Sequence, residues 1–170
     1  EEDWRYQRVW VARLAEKPAP VALKVDGHVC AVRWSPVDDR LLVVLTPTPS
    51  VDHSLMQQRL RIVAADTGAV QTRIENPGKL GNFAWSPDGR TLYHADTPTH
   101  TVRAFDYDLD AGVPSRPRVF AQWRGETDRP DGGAVDSAGN YWTAFYRGGK
   151  VLQIAPTGET LAEYSIPAMC

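Results

Sequence analysis

Four histidines and a scatter of aspartates are the side chains here with the means to move protons or hold a cation. His94 falls inside an apolar, strand-like run and His100 in the turn after it, while His28 and His53 lie near loops. A transition-metal site needs imidazoles, thiolates or carboxylates at short characteristic spacings, and these four histidines do not have them. Asp96, Asp106 and Asp108 sit at turns and strand edges, where aspartate commonly satisfies backbone N–H groups. Asp131, in Pro130-Asp131-Gly132, reads the same way, as a turn residue leading into a strand. No Gly-x-Ser-x-Gly elbow for a nucleophilic serine occurs. Gly78-Lys79-Leu80-Gly81 lacks the spacing and the following Ser or Thr of a phosphate-binding loop. Cys30 lies in an apolar strand pattern, where burial is expected, and Cys170 is the last residue, so the two make no disulfide framework.

The elements that must position these residues are copies of one unit. Trp85-Ser86-Pro87-Asp88-Gly89-Arg90 is a tight turn between two short strands, and it appears earlier as Trp34-Ser35-Pro36-Val37-Asp38-Asp39-Arg40 and later as Val135-Asp136-Ser137-Ala138-Gly139-Asn140. The last residues of the three turns, Arg40, Arg90 and Asn140, are spaced by 50. A period of about 40 to 50 residues with several short strands per copy is the mark of a β-propeller. Each copy also carries a second turn, Asp66-Thr67-Gly68, Asp110-Ala111-Gly112 or Pro156-Thr157-Gly158, where glycine accepts positive φ. The reading is all-β: an N-terminal half-blade over residues 1–27 and four-stranded blades over 28–79, 80–127 and 128–170, about fourteen strands in one propeller-type domain. The Pro-rich insertion Thr46 to Gln58 is a surface excursion, with a helical turn or two expected only over Leu55 to Leu60. Trp34, Trp85, Trp142, Phe105 and Phe145 are expected to pack between blades.

Net charge is −2 with 24% charged residues, so no basic field points to nucleic acid. No apolar run is long enough to span a membrane, and Glu1-Glu2-Asp3-Trp4 has no signal-peptide character, so the chain as given reads as soluble. Three and a half blades leave strand edges and a sheet face uncovered. Completion of the ring by a second copy of the chain, as a homodimer or higher oligomer, is therefore expected.

Two family resemblances overlap at the Trp85 turn. Arg8-Val9-Trp10-Val11-Ala12, Val32-Arg33-Trp34-Ser35-Pro36 and Arg73-Ile74-Glu75-Asn76-Pro77-Gly78-Lys79-Leu80 resemble the N-terminal propeller of the prolyl oligopeptidase and acylaminoacyl peptidase family, over about residues 8–90. From Trp85 onward, Thr91-Leu92-Tyr93-His94-Ala95-Asp96-Thr97-Pro98, Ala104-Phe105-Asp106-Tyr107-Asp108, Arg129-Pro130-Asp131-Gly132-Gly133-Ala134-Val135-Asp136 and Gly139-Asn140-Tyr141-Trp142 are similar to the regucalcin and gluconolactonase family, the senescence marker protein group. The pair implies a recombined, chimera-like chain, natural or engineered; the alternative is a natural propeller whose blades have drifted to resemble both families. The peptidase resemblance implies a scaffold without catalysis, because that family's catalytic residues lie in a separate domain. The second resemblance implies a sugar lactonase that uses a divalent cation, often calcium, to polarise the lactone carbonyl and activate water. It places a metal ligand and general base on Asp131. The family's asparagine ligand falls on Gly81, with Asn82 one residue later, and a one-residue shift in a strand turns a side chain to the other face. One carboxylate and one displaced amide fall short of the six or more oxygens a hard cation takes. The expectation is therefore a catalytically silent propeller fragment that self-assembles and holds no metal. The alternatives are a calcium-dependent lactonase with Asp131 as base and Asp131 and Asn82 as ligands, and a protein-binding scaffold.

Overall fold

The computed structural model describes residues 5–14, 17–74, 82–126 and 128–167. The Gly78-Lys79-Leu80-Gly81 segment and Cys170 lie outside them. Among the described residues the chain forms fourteen strands, one short helix and one 3-10 turn. It divides into two compact units, residues 1–80 and 81–170.

The first unit opens with β1 (Trp10–Val11) and β2 (Val21–Ala22), an antiparallel pair shorter than its run of β-forming residues. Then come β3 (His28–Trp34), β4 (Arg40–Thr46), β5 (Arg59–Ala64) and β6 (Val70–Ile74), hydrogen-bonded in chain order as one antiparallel sheet. Val9, Leu23 and Val25 of the half-blade bury against Leu41, Val43, Leu45 and Val63 of that sheet. The excursion between β4 and β5 holds α1 (Val51–Met56), four residues earlier than expected. Ser50 caps it, its side chain accepting from the His53 N–H, which satisfies one of the donors a helix start leaves open. Two packing expectations fail here. Trp34 is 54% exposed, and Cys30 is half-buried, its sulfur 3.7 Å from Thr46 Oγ1.

The second unit holds two more four-stranded antiparallel sheets in chain order. The first consists of β7 (Phe83–Trp85), β8 (Thr91–Asp96), β9 (Thr101–Asp108) and β10 (Val113–Gln122). The second consists of β11 (Ala134–Val135), β12 (Tyr141–Ala144), β13 (Lys150–Ile154) and β14 (Thr160–Ser165). Between them lies a core of Tyr93, Ala95, Val102 and Ala104 from one sheet and Tyr141, Phe145, Leu152 and Ile154 from the other. Aromatic rings dominate it: Phe145 meets Trp123 edge-on at 5.0 Å, and Tyr141 lies 5.1 Å from Tyr93. Phe105 and Trp142 are half-buried, and Trp142 stacks on Tyr164 instead, at 5.6 Å.

Local chemistry explains the repeat. In the Trp85 turn, Ser86 Oγ donates to Asp88 Oδ1 at 2.6 Å and accepts from the Thr91 N–H at 2.9 Å, while Asp88 Oδ1 accepts from the Arg90 N–H at 3.0 Å. The degenerate copy keeps the same logic through Asp136, which accepts from the Ala138 and Asn140 N–H groups and, at 2.9 Å, from Trp142 Nε1. These donors favour the ionised carboxylates. The Ser86 bond leads in holding Asp88 below the usual value of 3.8, and the Trp142 bond leads for Asp136. Both turns are therefore held at pH values above that figure and released as pH falls through the depressed native values. Gly68, Gly112 and Gly158 of the second turns have φ of 74, 70 and 91°, the left-handed conformation expected of them.

Candidate functional site

In the second unit the segment before β11 and the residue before β7 meet at one end of the two sheets. Asn82 Nδ2 donates to Gly133 O at 3.0 Å, across 51 residues of sequence. Its Oδ1 accepts from the Phe83 N–H at 2.8 Å, and its carbonyl accepts from the Ala95 N–H at 2.9 Å. The amide is thus a clamp between the two inner strands, and part of its oxygen's acceptor capacity is already used.

Asp131 is exposed, on a backbone held from several sides. Its N–H donates to Ala144 O at 2.8 Å. Thr97 Oγ1 donates to the carbonyl of Pro130 at 2.7 Å, and Thr143 Oγ1 donates to that of Gly132 at 2.8 Å. Gly132 has φ of 88°, which lets the chain turn sharply after the aspartate. A carboxylate on a fixed backbone, facing solvent, can accept a proton from a bound water or hydroxyl. Thr97 and Thr143 were not legible as positioning residues, because a threonine in or beside a strand carries no signal of the carbonyl it will meet.

His94 belongs to β8. It pairs with Phe83 across β7 and β8 and stacks on that ring at 4.4 Å with an 8° angle between planes. Only 8% exposed, it has an Nε2 without a hydrogen-bond partner. Burial lowers its pKa to about 4, outweighing the nearby Asp96, and Arg103 lowers it further. Asp96 and Arg103 form a long ion pair at 3.8 Å. Asp106 is committed to Arg116 and Arg118 at the sheet's outer edge, and Asp108 accepts from the Asp110 and Ala111 N–H groups. His53 bonds Thr48 Oγ1, and His28 Nδ1 accepts from the Gln7 N–H.

The profile of the family described as SMP-30/Gluconolactonase/LRE-like region matches residues 46–170. The chain belongs to this family. The matched region crosses the Trp85 turn without a break, so it includes residues 46–84, upstream of the turn, within the stretch that resembles the peptidase propeller. Among curated proteins, the chain is 44% identical over 86 residues to a 6-deoxy-6-sulfogluconolactonase of Pseudomonas putida, which is 50% of this chain and 29% of that one. Among solved structures, a calcium-binding protein, regucalcin, of Agrobacterium tumefaciens superposes with a TM-score of 0.64 at 24% identity, over 83% of this chain and 46% of that one. The β-propeller domain of Cps50 (Swd1) from Myceliophthora thermophila superposes with a TM-score of 0.65 at 15% identity, over 95% of this chain and 55% of that one. These likenesses identify the fold as a β-propeller. The chain matches less than two thirds of the length of each.

The Agrobacterium regucalcin is described as a calcium-binding protein, so the donor set is worth testing against calcium. Among the described residues no group of three or more His, Cys, Asp or Glu could hold a metal ion. Asp131 and the partly used oxygen of Asn82 offer far fewer oxygens than the roughly six to eight that calcium takes. The residues described here do not by themselves fit the ion. No helix among them is long and apolar enough to cross a membrane.

Proposed function

We propose that the protein is a section of a sugar-lactone hydrolase in which Asp131 is the general base. The observation that carries this reading is the exposed Asp131 carboxylate on a backbone fixed by Ala144, Thr97 and Thr143. The family match and the sulfogluconolactonase relative support the substrate class. In the step assigned to it, Asp131 takes a proton from water as the water oxygen bonds to the lactone carbonyl carbon. The ring C–O bond then breaks, its oxygen takes up a proton, and a hydroxy acid leaves. The reading gives a cation no step, because the donors described fall short of one.

The test is hydrolysis of glucono-δ-lactone followed by acid release, with calcium and with chelator, for the chain and for Asp131→Ala. General-base contributions are of order 100- to 10,000-fold, so Asp131→Ala is expected to lose at least about 100-fold in kcat/KM. Turnover unchanged by the substitution, or none above spontaneous hydrolysis in the parent, overturns the reading.

A second reading, a catalytically silent fragment that self-assembles, is favoured by its uncovered apolar side chains. Trp10 and Val21 of the half-blade are 62% and 57% exposed, and Leu161 and Tyr164 on β14 are 52% and 48% exposed. On that reading, light scattering after size exclusion gives a dimer or larger mass over a range of concentrations; a monomer mass throughout removes it. Recombination at the Trp85 turn draws no support from a family region continuous across that turn, and a scaffold for another protein draws none from any feature described above.

A further inference from the structure

The backbone that carries Asp131 also carries a cation on the same side. Pro130 bridges Phe145 antiparallel, with the Tyr146 N–H donating to Arg129 O at 2.9 Å and the Asp131 N–H to Ala144 O at 2.8 Å. Side chains alternate along an extended segment. Pro130 and Phe145 are buried, so Arg129 and Asp131 share the opposite, exposed side, with Tyr146 and Ala144 as their neighbours across the bridge. Two residues of extended chain span about 6 to 7 Å, which sets the two charged residues roughly a sugar ring apart. Ala144, next to Asp131, takes up little of that space.

A second arginine joins from the turn between β12 and β13. Arg147 Cζ lies 5.3 Å from the centre of the Tyr146 ring, which is 39% exposed. Its φ is 56°, a left-handed conformation that glycine adopts freely and that costs a residue with a Cβ. Gly148 and Gly149 follow in the same turn, yet an arginine occupies this strained position. Backbone strain of this kind clusters at active sites and ligand clamps. Among the described residues no carboxylate lies within ion-pair distance of Arg129 or Arg147, and Asp128, just upstream, is taken by Lys150 Nζ at 2.9 Å. Guanidinium groups bind oxyanions through paired, charge-assisted hydrogen bonds, and the ring between them offers an apolar face to a carbon skeleton. We infer that the lactone hydrolysed here carries an oxyanion at the end remote from its carbonyl, and that Arg129 and Arg147 hold that group while Asp131 faces the carbonyl. The inference rests on the reading of Asp131 as general base and names the substrate class of that site.

The test is isothermal titration of the full chain with three sugar acids that differ only at the far carbon: gluconate, glucarate and 6-phosphogluconate. The parent is expected to bind glucarate or 6-phosphogluconate at least about tenfold more tightly than gluconate. The tighter of the two shows whether the group held is a carboxylate or a phosphate. Arg129 is exposed, and asparagine also adopts the left-handed region, so Arg129→Gln and Arg147→Asn should both fold. Each is expected to lose at least about threefold of the preference, and the double variant all of it. Equal affinity of the parent for the three acids, or a preference that survives in the double variant, overturns the inference. Binding is read without turnover, so its failure is distinct from that of the base. Absence of hydrolysis, or turnover unchanged by Asp131→Ala, removes the base assignment and leaves a measured preference standing as an anionic sugar-acid site. Hydrolysis that depends on Asp131 in a parent without the preference removes only the anion site.

Discussion

Lowering the pH from 7 to 5 is expected to destabilise the protein by about 2 kcal/mol through His94 alone, reaching about 3 kcal/mol at pH 4. In the native state its pKa is about 4, against the ordinary 6.5, chiefly because burial disfavours the imidazolium. Since the native value is the lower one, the unfolded chain binds the extra proton first. Stability is therefore full above 6.5, falls between 6.5 and about 4, and levels off below. Asp96 opposes the shift and Arg103 on the neighbouring strand adds to it, while the unpartnered Nε2 offers a new proton no acceptor. The Asp88 and Asp136 carboxylates titrate below 3.8 and leave this window clear. For a chain of this size the loss at pH 5 is a fall of about 4 to 8 °C in Tm. His94→Phe keeps a ring against Phe83 and removes the titration, so its Tm should stay nearly flat from pH 7 to 5. A flat parent profile, or the same slope in the variant, would show that His94 is not the group responsible.

What could be read in advance depended on how local the causes were. The Trp85, Trp34 and Asp136 turns satisfy their own N–H groups within a few residues, and the glycines at 68, 112 and 158 answer a local φ requirement. Spacing alone therefore yielded the sheets and their order. The helix start was also local, since Ser50 is a capping residue three positions before His53, but apolar periodicity pointed further along, to Leu55. Cys30 looked like core because it lies in an apolar strand pattern, and Trp34 because a large aromatic is expected to pack between blades, yet their burial depends on which neighbour covers their face. The candidate site is non-local throughout. Asn82 meets Gly133 across 51 residues, and Thr97 meets Pro130 across 33.

Gly133→Ala is expected to cost about 3 kcal/mol, a fall of roughly 6 to 12 °C in Tm, although it adds a single methyl group. A Cβ there would run into the Tyr141 hydroxyl and ring, with Cε2 only 2.9 Å away. Tyr141 cannot swing aside: it is 1% exposed and packed against Tyr93 and Phe120. The glycine cannot retreat easily either, since its carbonyl takes the Asn82 amide and that of Gly132 takes Thr143. Tyr141→Phe separates the two causes. Its hydroxyl is buried without a hydrogen-bond partner, so removing it should leave stability unchanged or raise it by up to about 1 kcal/mol. The double variant should nevertheless remain close to Gly133→Ala, because the ring carbons still occupy the space. A Gly133→Ala protein melting within 1 to 2 °C of the parent would mean that the loop yields without strain. The backbone beneath Asp131 would then be too loose to hold a general base in place.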